Sequence, residues 1–346
     1  MTTLTTPRAL IEAGFGAPER EAGWNAVARR YALAVPPALA ASINPADPND
    51  PLARQFLPDV RELDRAPHEQ DDPIGDDLKS PVHGLVHRYP DRVLLKLTSA
   101  CAVYCRFCFR RETVGPGGPH LDESDLAAAL DYLRDRPEIW EVVLTGGDPL
   151  ALSPRRIEQA TRSLADLPHI KVLRWHSRMP VAAPERVTDA LAASLTQGHD
   201  KAVYVAVHAN HPRELTKEAR EACRRLLAAG VSLVSQTVLL KGVNDDPDTL
   251  SALMRAFVET RIKPYYLHHP DPAPGTGHFR VSLKEGQSLM RALRARLSGL
   301  AMPTYVLDLP EARGKIPVGP SYLEGDGPDY VATDPKGGRL TYSDFG

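Results

Sequence analysis

The chain has 346 residues, 42 % of them hydrophobic and 25 % charged, a balance that builds a buried core and excludes a largely disordered chain. With 42 Lys and Arg against 44 Asp and Glu the net charge is −2, so no global basic excess favours nucleic acid or an anionic membrane as partner. No run of about 18 apolar residues occurs, so no membrane span is expected, and the opening MTTLTTPRALIEAGFG lacks the charged and apolar blocks of a signal peptide, which makes the cytoplasm the expected compartment.

Residues 1–85 read as a helical and wrapping region. RALIEAGF and EAGWNAVARRYALAV have the apolar spacing of amphipathic helices. The following stretch, PADPNDPLARQFLPDVRELDRAPHEQDDPIGDD, is too rich in Pro and Asp for regular structure. Its apolar residues Leu52, Phe56, Leu57, Val60 and Leu63 predict that it packs on the body of the protein rather than acting as a free linker.

From residue 92 short apolar runs alternate with amphipathic stretches. The predicted order is strand 93–97, helix 123–135 with Asp122 as N-cap, strand 141–146, and a helix over 154–167 opened by Ser153 and Pro154. Strand 171–177, helix 184–197, strand 202–209 and helix 217–229, bracketed by Thr216 and Gly230, come next. Strand 232–240, helix 247–260, strand 263–269, helix 283–298 and strand 304–309 complete the series. Such alternation means parallel strands joined by right-handed crossovers, an α/β sheet. No G-x-G-x-x-G stands at a strand–helix junction, so a partial or complete barrel fits better than a dinucleotide-binding sheet. Residues 86–315 are taken as the barrel and 316–346 as a short extension of loops and a hairpin.

In a β/α barrel, reactive groups gather at the C-terminal ends of the strands. After the first strand come Cys101, Cys105, Cys108, Arg110 and Arg111; after the second, Thr145, Gly146, Gly147 and Asp148. The third ends in His176 and Arg178, the fourth in His208 and Asn210, and the fifth carries Gln236. His268, His269 and Asp271 follow the sixth; Asp308 closes the last, with Lys315 seven residues on. Polar strand ends are common in any sheet. The cysteine trio gives this rim its chemical meaning.

Three of the four cysteines lie in C-x3-C-x2-C spacing. An odd trio in a reducing compartment is a poor disulfide framework. A structural zinc site needs four protein ligands, and Cys223 sits on the apolar face of a helix, where an inert buried thiol is expected. Three thiolates can hold three irons of a cubane and leave the fourth iron open.

CAVYCRFC, following the first strand of a repeating β/α chain, resembles the signature of the radical S-adenosylmethionine (SAM) enzymes. The resemblance implies a partial (β/α)6 barrel, a [4Fe–4S] cluster on Cys101, Cys105 and Cys108, and SAM at the open iron. LTGGDP, with Gly146, Gly147 and Asp148, is similar to the glycine-rich stretch in which these enzymes hold SAM, and Arg178 and Gln236 fall in segments that contact it. Longer strings narrow the match: GLVHRYPDRVLLKLTSACAVYCRFCFRRETVG, HSRMPVAAPERVT, HANHPRELT, QTVLLKGVND, GTGHFR and GKIPV together resemble the lysine 2,3-aminomutase family over about residues 5–320. This implies interconversion of L-lysine and β-lysine by a 5′-deoxyadenosyl radical and a 1,2-amino shift dependent on pyridoxal phosphate (PLP).

By the same resemblance Lys315 is the PLP-attaching lysine, and Arg88, Tyr89 and Arg92 face that cofactor. Arg110 pairs with the substrate α-carboxylate, and Asp271 and Asp308 receive the distal ammonium of lysine, a charge that needs negative partners once desolvated. Two further readings stay open: the same chemistry committed to β-lysylation of elongation factor P, or another amino acid such as glutamate as substrate. An electron donor such as flavodoxin or ferredoxin is implied, and homo-oligomerisation is left open. The chain departs from clostridial-type members in two places. Asp246 stands where those carry a cysteine and no cysteine follows Cys223, so no zinc is expected; PEARG (310–314) replaces a glycine-rich run before Lys315.

Overall fold

Short runs of Val, Leu and aromatic residues, each followed by an amphipathic stretch, build the sheet in chain order. The computed structural model describes residues 2–345. Nine strands form one sheet: β1 (Leu85–Tyr89), β2 (Arg92–Thr98), β3 (Glu141–Gly146), β4 (Val172–Ser177), β5 (Ala202–His208), β6 (Ser232–Val238), β7 (Lys263–His268), β8 (Thr304–Leu309) and β9 (Gly314–Pro317). Strands β2 to β8 are parallel, whereas β1 and β9 pair antiparallel at the two edges. The chain is thus a partial β/α barrel with six crossovers, as expected.

Four short helices precede the sheet: α1 (Pro7–Glu12), α2 (Glu21–Arg30), α3 (Pro37–Ala40) and α4 (Pro51–Phe56). The crossovers run through α5 (Glu123–Arg134), α6 (Pro154–Ala165), the short α7 (Met179–Ala182) with α8 (Asp189–Ser194), α9 (Lys217–Ala228), α10 (Pro247–Glu259) and α11 (Leu283–Arg296). Their starts are chemically marked. Asp122 and Asp125 form a reciprocal cap on α5, Ser153 caps α6, Thr216 caps α9, and Ser282 with Glu285 caps α11. Asp246 caps α10, accepting from the Asp248 and Thr249 N–H groups. That gives a local role to the residue standing in place of the clostridial-type cysteine.

Strand periodicity sorts residues between the two faces. On β4, Leu173 and Trp175 pack outward into the core shared with the helices, while Arg174 and His176 point into the barrel. The interior is accordingly a cavity that sets charged groups into a largely apolar wall, and the main core lies between sheet and helices. A second apolar cluster, including Leu10, Trp24, Val35, Leu52 and Phe56, seats the N-terminal segment against Val103 of the cysteine loop and Ala182. The Pro- and Asp-rich stretch packs on the body of the protein through Leu52, Phe56 and Leu57, whereas Val60 and Leu63, expected to pack as well, stay exposed.

Three expectations change. The helix expected over 184–197 is broken: Pro184 opens a 3-10 turn, and Thr188 caps a fresh start for α8. The second N-terminal helix ends at Arg30, because the chain ahead of Pro36 is extended and Val35 bridges to Leu4. The tail forms a three-stranded antiparallel sheet of β10 (Leu323–Glu324), β11 (Asp329–Thr333) and β12 (Arg339–Ser343) rather than a hairpin. No helix among the described residues is long and apolar enough to cross a membrane.

Candidate active site

The C-terminal strand ends and their loops enclose a cavity of about 290 Å³. The structure brings all the expected site residues to its wall: Cys101, Cys105 and Cys108; Gly146, Gly147, Asp148, Arg178 and Gln236; Arg88, Tyr89 and Arg92; Arg110, Asp271, Asp308 and Lys315. His176, His208 and His268 from the same rim line it as well.

The loop after β2 carries the thiols and is pinned from behind by a buried carboxylate. Glu62, in the wrapping segment, accepts from Arg106 Nε at 3.0 Å and Nη2 at 2.5 Å, and also pairs with Arg111 Nη2. Arg111, to which the sequence assigns no role, stacks 3.5 Å from the centre of the Tyr31 ring and donates to the Arg106 carbonyl at 2.9 Å. Burial pushes the three thiols up, Cys105 to about 11 and Cys101 well above the ordinary thiol range, where Asp148 and the other two cysteines add to the effect. Bound iron would relieve this, since a coordinating thiol is held deprotonated by the metal charge. Among the described residues no three metal-ligating side chains converge as a single ion requires. A cubane instead takes each thiolate at a separate iron, and three thiols along one wall suit it.

Beside the thiols, Gly146 and Gly147 lie tight on the start of the cysteine loop. Gly146 has φ of +112°, and a Cβ there would stand 2.5 Å from the Thr98 carbonyl oxygen; at Gly147 it would stand 2.4 Å from that of Ala100. The glycines therefore let β3 and the loop after β2 approach closely. Asp148 is fully engaged: its carboxylate accepts from the Leu150 N–H, Ser177 Oγ, and the Arg178 and Met179 N–H groups at 2.8 to 3.1 Å. It ties the end of β3 to the end of β4. Arg178 is held by Gln55 at 2.9 Å and by Glu214, and its Nη1 lies 3.4 Å from Cys105 Sγ. Its charge is aimed at a thiol. His208 Nε2 is buried without a partner on this side of the cavity.

Across the cavity the charges interlock. Lys315 Nζ lies 2.7 Å from Asp308 Oδ1, with Arg88 Nη1 at 3.4 Å from the same oxygen and His268 Nδ1 3.5 Å from Oδ2. Burial raises the Asp308 carboxyl, but His268 and Lys315 outweigh it and bring it down to about 2. Asp271 has a buried Oδ1 without any hydrogen-bond partner. Burial and the Asp308 charge push its carboxyl up to about 7. Arg92 stacks on Tyr89 at 3.7 Å and pairs with Asp91, while Arg88 Nε is buried and unpartnered. A reactive amine with two guanidinium groups nearby suits an anionic aldehyde cofactor.

Asp76 is the main residue that sequence reasoning missed. It is 5 % exposed and pairs with Arg88 and Arg110. Burial raises its carboxyl, but Arg110, Lys96 and Arg88 together bring it below the usual carboxylate range. Two arginines at one mouth signal the need for a counter-charge, yet Asp71, Asp72, Asp76 and Asp77 read alike in the sequence.

Residues 95–253 match the family model of the radical SAM superfamily and residues 290–341 match that of lysine-2,3-aminomutase. The L-lysine 2,3-aminomutase of Acetoanaerobium sticklandii is 40 % identical over 88 % of this chain and 73 % of its own. That of Clostridium subterminale is 39 % identical over 90 % and 75 %. The glutamate 2,3-aminomutase of Clostridioides difficile is 37 % identical over 88 % and 72 %.

Proposed function

The chain belongs to the lysine 2,3-aminomutase family of the radical SAM superfamily, and on that premise we propose that it interconverts L-lysine and β-lysine with a [4Fe–4S] cluster, SAM and PLP. The observation that carries the choice of substrate is the pair Asp271 and Asp308, facing the same cavity as Lys315 and Arg110. A distal ammonium gains from two carboxylates in a desolvated site, whereas a distal carboxylate would be repelled.

When bound, the cluster with SAM supplies a hydrogen-abstracting radical and PLP supplies a conjugated system that eases migration of nitrogen between adjacent carbons. The chain's own residues bind and orient. Cys101, Cys105 and Cys108 hold the cluster, and Arg178 places positive charge beside Cys105. Gly146 and Gly147 shape the SAM side, where Gln236 faces the cavity; Asp148 acts there by bracing β3 against β4. Lys315 attaches PLP, Arg88 and Arg92 offer guanidinium donors to its phosphate, and Tyr89 braces the Lys315 backbone. Arg110 receives the α-carboxylate, and Asp271 with Asp308 receives the distal ammonium. The wrapping segment across the mouth limits water around a radical. A small reductant protein of the flavodoxin or ferredoxin class delivers the electron.

Anaerobically reconstituted protein with dithionite, SAM, PLP and L-lysine is expected to yield β-lysine, and Lys315→Ala none. Intact SAM after reduction, four protein donors around the cluster, or turnover of L-glutamate in preference to L-lysine would overturn the reading.

A further inference from the structure

Arg110 reaches the cavity from a loop only two residues past Cys108, on a side chain with four rotatable bonds. Two groups fix it. Asp76 Oδ2 accepts from Arg110 Nε at 3.1 Å and from Nη2 at 2.8 Å, and Thr145 Oγ1 accepts from Nη1 at 3.1 Å. These bonds set the guanidinium plane and leave one hydrogen on each terminal nitrogen for an incoming carboxylate. The other Asp76 oxygen accepts from Arg88 Nη2 at 2.9 Å. One carboxylate thus links β1 to the cysteine loop and offsets the repulsion between two guanidinium groups.

Asp76 is itself held firmly. Its N–H donates to Asp72 Oδ1 at 2.9 Å, and the Asp77 N–H donates to Oδ2 of the same side chain at 2.8 Å. Just before it, Gly75 has φ of +71°, and a Cβ there would lie 2.6 Å from the Ala312 nitrogen. The turn carrying Asp76 therefore packs directly on the loop that leads to Lys315.

We infer that Asp76, with Thr145 opposite it, is the positioning device for amino-acid carboxylate recognition, aiming Arg110 so that the substrate meets a preset guanidinium. This rests on the reading of Arg110 as the carboxylate partner. The residue does not touch the reacting atoms. It lowers the ordering cost that a free arginine would carry into each binding event.

The test is a split between KM and kcat, with cadaverine, which is lysine without its carboxylate, as competitive inhibitor. Asp76→Asn is expected to raise KM for L-lysine about 10- to 100-fold, the loss typical of a charge-assisted hydrogen bond, with kcat within about threefold and the cadaverine inhibition constant unchanged. Asp76→Glu should recover part of the KM. An unchanged lysine KM in an Asp76→Asn protein of parental iron content overturns the inference, as does a parallel rise for lysine and cadaverine, which marks general damage to the site. Arg110→Lys separates the two layers. If it raises KM while Asp76→Asn does not, only the inference about Asp76 fails; if neither does, the reading of Arg110 fails. Should Asp76→Asn not take up iron, Thr145→Val carries the test: a rise for lysine alone supports the device and no rise overturns it.

Discussion

Lys315 and Asp308, seven residues apart and paired across the β8–β9 hairpin, form a salt bridge of 2.7 Å on the wall of the cavity. The lysine expected to attach a cofactor thus rests on a carboxylate expected to receive the substrate ammonium. Before cofactor is attached, the protein's own amine fills the place of the ligand. Lys315→Ala should therefore do two things. It abolishes turnover, and it raises the affinity of the PLP-free protein for cadaverine by about tenfold or more, because a buried carboxylate that has lost its partner gains strongly from a new one. Calorimetry on the PLP-free proteins reads this directly, and equal affinities for parent and variant would sink the idea.

Asp271 sets a pH dependence. With its carboxyl raised to about 7 by burial and by Asp308, the ligand-free site holds a proton there at lower pH, and an ammonium needs that proton gone. Apparent affinity for L-lysine should fall below about pH 7, by up to about tenfold per unit. Asp271→Asn should bind more weakly and flatten the profile. The sign for folding is opposite to that of an ordinary salt-bridged carboxylate. The folded chain keeps its proton while the unfolded chain releases it near 3.8, so this group lowers stability progressively as pH rises from about 4 to about 7. Thermal unfolding of parent and Asp271→Asn across that window checks it; parallel curves would refute it.

Glu62 is a structural keystone of the cysteine loop. Its side chain has no solvent exposure and pairs with both Arg106 and Arg111. Glu62→Ala strands two buried guanidinium groups and should cost about 3–5 kcal/mol, with lower iron uptake. Denaturant unfolding measures the loss, and a change under about 1 kcal/mol would mean that the arginines find other partners.

Gly147→Ala tests the close approach of β3 to the cysteine loop. The added methyl would stand 2.4 Å from the Ala100 carbonyl oxygen and 2.6 Å from the Ser99 carbonyl carbon, and rigid backbone must move. Iron content after anaerobic reconstitution should drop several-fold. Gly299→Ala, with open space around its Cβ, serves as the control. Equal iron in both variants would show that the loop tolerates the shift.

Much of the fold was legible because its signals are local. Apolar spacing with period two or near four, interrupted by caps such as Asp122, Ser153 and Thr216, ordered the strands and crossovers and so placed the rim residues together. Helix 184–197 failed where one periodic stretch held both a proline and a second cap, and local pattern could not rank the two. The edge strands β1 and β9 were not expected, because LVHRY and GKIP are only five and four residues long and neither alternates cleanly between apolar and polar side chains.

The sequence by itself determined the alternating β/α order, the three-thiol spacing, and which polar residues stand at strand ends, all properties of neighbours along the chain. Only the tertiary structure decided which charges meet: Asp76 with Arg88 and Arg110, Glu62 with Arg106 and Arg111, Asp308 with Lys315 under Arg88. In the first two sets a carboxylate from an irregular segment meets arginines beyond the start of the sheet, and no periodicity relates them. Their partners follow from how the wrapping segment crosses the barrel mouth, where buried charges must pair because water is excluded.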